Sequence, residues 1–346
     1  MKLASVIASL VLITSSSLTA ASNRDYIEIV GSSTVYPFAI AVAERFGKGT
    51  KFKTPKIEST GSGGGMKLFC NGVGVAYPDV TNSSRRIKQK EFEMCQKNGV
   101  TDIIEVLIGY DGIAFANSKK ADQLSLTRRD IYLALAKDIP NPDGSETFIA
   151  NPHTTWKDVN SALPATKIEV LGPPPTSGTR DAFAELAIEG GCKSFPWVKA
   201  FKKVDKKAYK ARCHTIREDG PYIEAGENDN LIVNKLDANP SAFGVFGFSF
   251  LDQNTEKVQG ALIEGFAPTF ESIAQGDYSI SRPLYFYVKK AHIGVVPGIE
   301  GYLREFTADG TWGDEGYLTD RGMIPLNTVK RKAVGDAVKN QTPLSM

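Results

Sequence analysis

The chain has 346 residues, with 41 Lys and Arg against 39 Asp and Glu, and a formal charge of +2. A near-neutral chain lacks the basic field of a nucleic-acid binder or a polybasic membrane binder, although local donors can still hold a small anion. The length allows about two domains, and an apolar content of 42% can supply a core for each.

The N-terminus reads MKLASVIASLVLITSSSLTAAS. Lys2 forms a positive n-region, Leu3–Ile13 a short apolar stretch, and Thr19-Ala20-Ala21 puts small residues ahead of a cut after Ala21. This predicts a cleavable secretory signal over residues 1–21. The apolar run is too short for the ~20 residues that cross a bilayer. A buried first helix is the alternative. No cysteine follows the cut, so no lipid anchor is expected. The mature chain, 40 basic against 39 acidic residues after loss of Lys2, is expected to be soluble and exported.

RDYIEIVGSSTVYPFAIAVAERFGK follows. Tyr26–Val30 alternates and is β-rich, Gly31–Thr34 reads as a turn, and Pro37 suits a first helical turn ahead of Phe38, Val42 and Phe46. The same order returns three times. A strand near Ile57 precedes Gly61–Gly65 and a helix from about Gly64 through Phe69. A strand near Val80 precedes Asn82-Ser83-Ser84-Arg85 and a helix carrying Phe92 and Cys95. KIEVLGPPPTSGTRDAFAELAIEG gives a strand, a proline-rich turn, Thr176-Ser177-Gly178-Thr179 and a helix through Phe183 and Leu186.

Each of these four helix starts carries Ser or Thr. One such loop has a plain explanation, because Ser and Thr are ordinary N-caps. Four, two of them glycine-rich, suggest more. Helix N-termini leave backbone N–H groups free and carry partial positive charge, glycine lets a ligand approach the backbone, and hydroxyls add neutral donors. Converging helix starts of this kind make an anion site.

EVLIGYDGIAFANSKK, Glu105 to Lys120, and YSISRPLYFYVKK, Tyr278 to Lys290, are long β-rich runs. They are the candidates for two strands crossing between domains, near Gly109–Ala116 and Ser279–Val288. The four cysteines fall into two pairs, Cys70 with Cys95 and Cys192 with Cys213. In an exported chain this spacing predicts two local disulfides, worth roughly 3 kcal/mol each. The rival is a metal site, which lacks CxxC spacing; of the three histidines only His214 adjoins a cysteine.

GSSTVYPF, STGSGGG, DVTNSSRRIK, GYDGIAFANS, PPPTSGTRDAF and YSISRPLYFYV, in this order, resemble the periplasmic phosphate-binding (PstS) family of ABC transporters. LTRRDIYLALAKDIP followed by Trp156 also resembles that family, and the likeness spans nearly the whole mature chain. It implies an α/β, type II periplasmic-binding fold, with two lobes, a hinge of two crossing strands and a cleft between them. Lobe I would comprise residues 22–112 and 284–346, and lobe II residues 113–283. It also implies a periplasmic monomer that binds inorganic phosphate for an inner-membrane ABC permease, without cofactor, metal or nucleic acid. Carried over by motif, Thr34 and the Val35 amide, Ser62 and Gly63, and Ser177, Gly178 and Thr179 hold the anion, with Ser84 in the third loop.

The chain departs from the best-known members of that family twice. Arg85 stands where those have an aspartate after the third-loop serine, and Pro173 stands where they have an arginine four positions before the Ser-Gly-Thr serine. Arg85 and Arg180 are therefore the candidate guanidinium donors, and Asp111 the candidate acceptor for a phosphate proton. Each also has a plain role: Arg85 could pair with Asp79, Arg180 could be a surface residue, and Asp111 could cap a turn. An acid matters because phosphate keeps a proton that sulfate lacks, and a buried unmatched acceptor costs roughly 1–3 kcal/mol.

Two other function classes compete. One is a binding protein for sulfate, molybdate or arsenate. The other is a serine hydrolase or phosphatase, which needs a nucleophile with a supported base. No GxSxG elbow occurs, no histidine lies in a recognisable motif, and RFGKGTK lacks the first glycine of a P-loop.

Overall fold

The computed structural model describes residues 24–226 and 228–346, so the expected signal at residues 1–21 lies outside the described residues. Three strand–helix units open the fold: β1 (Glu28–Gly31) with α1 (Tyr36–Gly49), β2 (Lys56–Ser59) with α2 (Ser62–Phe69), and β3 (Val80–Ser83) with α3 (Gln89–Lys97). β4 (Ile103–Ser118) follows, and then α4 (Arg128–Leu135). β5 (Val170–Gly172) leads into α5 (Gly178–Phe183). The α5 helix runs on through a π-helical stretch, Ala184–Ile188, into Glu189–Cys192. Next come α6 (Pro196–Val204), α7 (Lys206–His214), β6 (Tyr222–Glu224), β7 (Phe243–Gly247), β8 (Ser281–Lys289) and the C-terminal α8 (Thr328–Lys339).

The main sheet has the order β2-β1-β3-β8-β4-β7-β5-β6. β1 runs parallel to β2 and β3, and β5 parallel to β6 and β7. Parallel pairs need helical crossovers, which the strand–helix units supply. The two long strands sit in the middle and pair antiparallel. Ile103–Gly112 of β4 pairs with β8, and Ile113–Asn117 pairs with β7. One strand thus serves both halves of the sheet. This is the α/β arrangement with two long crossing strands that the sequence predicts.

Each half has its own aromatic centre. Phe115 of β4 stacks on Phe243 at 5.1 Å and Phe183 at 6.1 Å, with Trp156 edge-on at 6.1 Å. In the other half, Phe286 of β8 meets Phe306 at 4.8 Å and Tyr302 at 6.3 Å. Such pairs add roughly 0.5–1.5 kcal/mol each beyond their burial. The chain returns to the first half at its end. Tyr110 and Ile324 exchange backbone hydrogen bonds of 2.8 and 2.9 Å, and the Leu344 N–H donates to the Ile103 carbonyl at 2.7 Å.

The glycines of the first two loops are needed where backbones meet. Gly31 adopts φ +128°, which L side chains rarely take up. A Cβ on Gly65 would come within 2.5 Å of Gly31 Cα and 2.6 Å of Thr81 Oγ1. α2 therefore packs directly on the end of β1, which brings the loops after β1 and β2 side by side. Both expected disulfides are present, Cys70–Cys95 and Cys192–Cys213. With all four cysteines paired, the rival reading of them as metal ligands falls.

Two helix starts differ from the expected ones. α2 begins at Ser62, ahead of Gly64. α3 begins only at Gln89, well after Ser84. The delay has a local cause. The Ser83 hydroxyl donates to the Arg85 carbonyl at 2.6 Å, and buried Ile87 donates its N–H to Tyr287 Oη at 2.8 Å. Glu91 then accepts from the Lys88 N–H at 2.9 Å, fixing the helix start there. Ser84 consequently lies just past the end of β3 and is not a helix cap.

Candidate functional site

The ends of β1, β2 and β3 bring three hydroxyl-bearing segments to one edge of the sheet. Ser32 Oγ accepts from the N–H groups of Thr34 and Val35, at 3.2 and 3.4 Å, and so shapes the turn into α1. Ser62, at the start of α2, lies with its Oγ 3.1 Å from Ser84 Oγ and accepts the Ser84 N–H at 3.1 Å. The second and third loops are thus tied together. A Cβ on Gly63 would find only Arg85, 3.9 Å away, so the approach to that helix start is open.

Arg85 is held by Glu91 through two hydrogen bonds of 2.9 and 2.7 Å, and this contact raises its pKa above the ordinary value. Its partner is not Asp79, which pairs with Arg24 and His292. Arg85 nevertheless lines the cleft beside Ser84 and Gly63.

The guanidinium at the centre of the cleft is Arg282, on β8. In the strand register it lies directly opposite Asp111 of β4. Its Nε donates to Asp111 Oδ2 at 3.1 Å, one terminal nitrogen to Thr34 Oγ1 at 2.6 Å, and the other to Glu185 Oε2 at 2.7 Å. It is only 6% exposed. Asp111, Arg282 and Thr34 therefore form one unit, with Glu185 reaching it from the far wall.

That far wall is the α5 run and the α6–α7 pair. Asp181, Glu185 and Glu189 line it, together with Lys202, Lys206, Lys210 and His214, and the cleft so enclosed measures about 650 Å³. The π-helical stretch that carries Glu185 is a feature often found at functional sites. Burial alone would raise the Glu189 carboxyl, but hydrogen bonds from His214, Lys193 and Lys202 outweigh it and hold the group well below the usual carboxylate range. His214 donates its Nε2–H to the Glu189 carboxylate at 3.0 Å, which leaves it no role as a base towards a cleft hydroxyl at that atom.

The loop GPPPTSGTR stands at the start of α5, and part of its chemistry is capping. Ser177 Oγ accepts the Thr179 N–H at 3.2 Å. Ser177, Gly178 and Thr179 lie within about one turn of Asp181 and are not among the residues lining this cleft. A Cβ on Gly178 would meet nothing within 4 Å. Arg180 is 8% exposed, donates to the Pro173 carbonyl at 3.1 Å, and lies over the Tyr222 ring at 4.2 Å. It braces the proline turn and does not line the cleft.

Of the residues singled out in the sequence, Thr34, Ser62, Gly63, Ser84 and Arg85 line one cleft, and Asp111 is linked to it through Arg282. Sequence reasoning missed Arg282, Glu185, Ser32 and the lysines. A signal for Arg282 was available: it is the one charge in the otherwise apolar or hydroxyl run SISRPLYFYV.

A model of the PBP superfamily domain matches residues 16–310. The phosphate-binding protein PstS of Staphylococcus epidermidis is 30% identical over 268 residues, 75% of this chain and 67% of that one. Protein SphX of Synechococcus elongatus is 28% identical over 285 residues, 79% of this chain and 72% of that one. Among solved structures, a possible phosphate binding protein from Planctomyces limnophilus aligns with TM-score 0.71 at 23% identity, covering 92% of this chain and 98% of that one. An ABC-type phosphate transport receptor from Vibrio cholerae aligns with TM-score 0.56 at 18% identity, covering 87% and 100%. These two likenesses concern the fold: two α/β halves joined by long crossing strands.

Proposed function

Since the chain belongs to the PBP superfamily, and within it to the phosphate-binding PstS family, we propose that it captures inorganic phosphate and delivers it to an ABC-type importer. The chain acts as a receptor and catalyses no reaction. After loss of its signal it works in the periplasm as a monomer. The observation that carries this reading is Arg282, whose guanidinium reaches both the first hydroxyl loop and the acid on the neighbouring crossing strand.

The anion sits between Thr34, the Val35 amide, Ser62, Gly63, Ser84 and Arg282, with Arg85 at the edge. Charge-assisted hydrogen bonds from a guanidinium are short and roughly twice as strong as neutral ones. Asp111 uses Oδ2 for Arg282; its other oxygen accepts the phosphate proton, which sulfate cannot offer. Closure brings the start of α5, with Ser177, Gly178 and Thr179, onto the anion from the opposite lobe. The lobes divide near residues 112 and 284, within or beside the crossing strands. Arg180 serves by fixing the proline turn rather than by touching the ligand.

Small-angle scattering tests the closure. The radius of gyration is expected to fall when phosphate is added and to stay unchanged with sulfate at the same concentration. An unchanged radius at saturating phosphate would remove the closing-lobe part of the proposal.

A further inference from the structure

The cleft does not end at the hydroxyl loops. Lys202, Lys206, Lys210 and His214 line its other side, on α6 and α7. The Cys192–Cys213 disulfide ties α7 to the end of the α5 run, so this wall is braced. Lys202 and His214 are both committed to Glu189, at 2.7 and 3.0 Å. Lys206 and Lys210 are different. Among the described residues neither has an ion pair or a side-chain hydrogen bond, and they stand four apart on α7, where like charges repel. Two unpaired cations thus face the cavity that the hydroxyl loops line from the other side.

The charge and size of the cleft point the same way. Five cationic side chains and three carboxylates line it. A hydrogen phosphate seated on Arg282 leaves Lys206 and Lys210 unmatched. A cleft of about 650 Å³ also falls in the range of roughly 300–1,000 Å³ typical of ligands much larger than a five-atom oxyanion.

We infer that the cleft also binds diphosphates. One phosphoryl group occupies the hydroxyl loops and Arg282, and the second reaches Lys206 and Lys210; inorganic pyrophosphate is the smallest such ligand. The inference rests on the phosphate reading of the first subsite.

Titration calorimetry of the mature chain with pyrophosphate and with orthophosphate, repeated on the Lys206→Gln/Lys210→Gln double variant, decides it. Both lysines are exposed, so the variant should fold. The wild type is expected to bind both anions. The double variant should lose tenfold or more for pyrophosphate and less than threefold for orthophosphate. A wild type that binds orthophosphate alone overturns the inference and leaves the phosphate reading standing. Equal losses for both anions also overturn it, because the lysines would then act only as a general attractive field. If the wild type binds neither anion, the phosphate reading fails and takes the inference with it.

Discussion

Arg282→Gln is expected to weaken phosphate binding by about 100-fold or more. Two charge-assisted hydrogen bonds to the anion, each contributing roughly 1.5–3 kcal/mol, amount to at least about two factors of ten in affinity. The substitution keeps two N–H donors but shortens the side chain and loses the charge and the planar fork. Arg282→Lys keeps the charge without the fork and should fall in between. Glu185, with its side chain 57% exposed, holds Arg282 only from the solvent side and can yield to the anion. The control is Arg180→Gln. Arg180 donates to the Pro173 carbonyl and lies over Tyr222, so its loss should change affinity much less. Calorimetry on the two folded variants separates the cases. Wild-type affinity in Arg282→Gln, with a large loss in Arg180→Gln, would move the guanidinium to the opposite lobe.

Asp79→Ala should lower global stability by about 3–5 kcal/mol, the usual range for removing one partner of a buried ion pair. Asp79 has no exposed surface. It accepts two hydrogen bonds from Arg24 at 2.8 Å each, one from the Glu28 N–H at 2.8 Å, and one from His292 Nδ1 at 2.6 Å. His292 Nε2 accepts the Gly74 N–H at 2.9 Å, which assigns the ring proton to Nδ1. The carboxylate thus ties the chain before β1 to the loop before β3 and the segment after β8. Lys289 lies close by, fully buried, its Nζ without a hydrogen-bond partner among the described residues and set against the rings of Phe69 and Tyr77. Burial pushes its pKa down to about 8, partly offset by Asp79. Removing Asp79 leaves Arg24 and Lys289 without their shared counter-charge.

The sign of the pH effect follows from Lys289. A lysine whose folded pKa lies below its unfolded value binds its proton less tightly when folded, so the contribution of Lys289 to stability rises with pH between about 8 and the ordinary 10.5. Buried tyrosines whose pKa burial raises, Tyr222 and Tyr285 among them, act in the opposite direction as pH nears 10, so the test is a difference: guanidinium titrations should show the wild type gaining stability relative to Lys289→Met as pH rises from about 8. For Asp79→Ala, a midpoint within about 1 kcal/mol of wild type would mean that the cluster is not an energetic anchor of the first half.

The parts of the fold that were legible in the sequence were those set by neighbouring residues. Tyr26–Val30 followed by Gly31-Ser32-Ser33-Thr34 reads as strand and turn because alternation and glycine act over a few positions. The cysteine pairs were legible because each closes a loop of only 25 or 21 residues. The start of α3 was not, because it depends on Tyr287 reaching Ile87 across 200 residues. Arg282 was hidden for the same reason: its partners Asp111 and Thr34 are 171 and 248 positions away. Arg180 looked attractive because it follows the hydroxyl motif directly, yet its guanidinium is drawn off by a carbonyl and an aromatic ring that only the folded turn supplies. Each crossing strand carries a charge where it passes between the two halves of the sheet, Asp111 in one and Arg282 in the other, and the register sets them opposite each other. Reading those two charges as a pair would have found the centre of the site.

In the proposed function this cleft selects a protonated tetrahedral oxyanion through Arg282 and Asp111. Titration calorimetry of the mature chain with phosphate and with sulfate at neutral pH tests it most directly. One phosphate should bind per chain, and sulfate should bind more weakly by at least about tenfold, the penalty for one unmatched acceptor facing the ligand. Equal affinities for the two anions, or no heat of binding with phosphate, would contradict it.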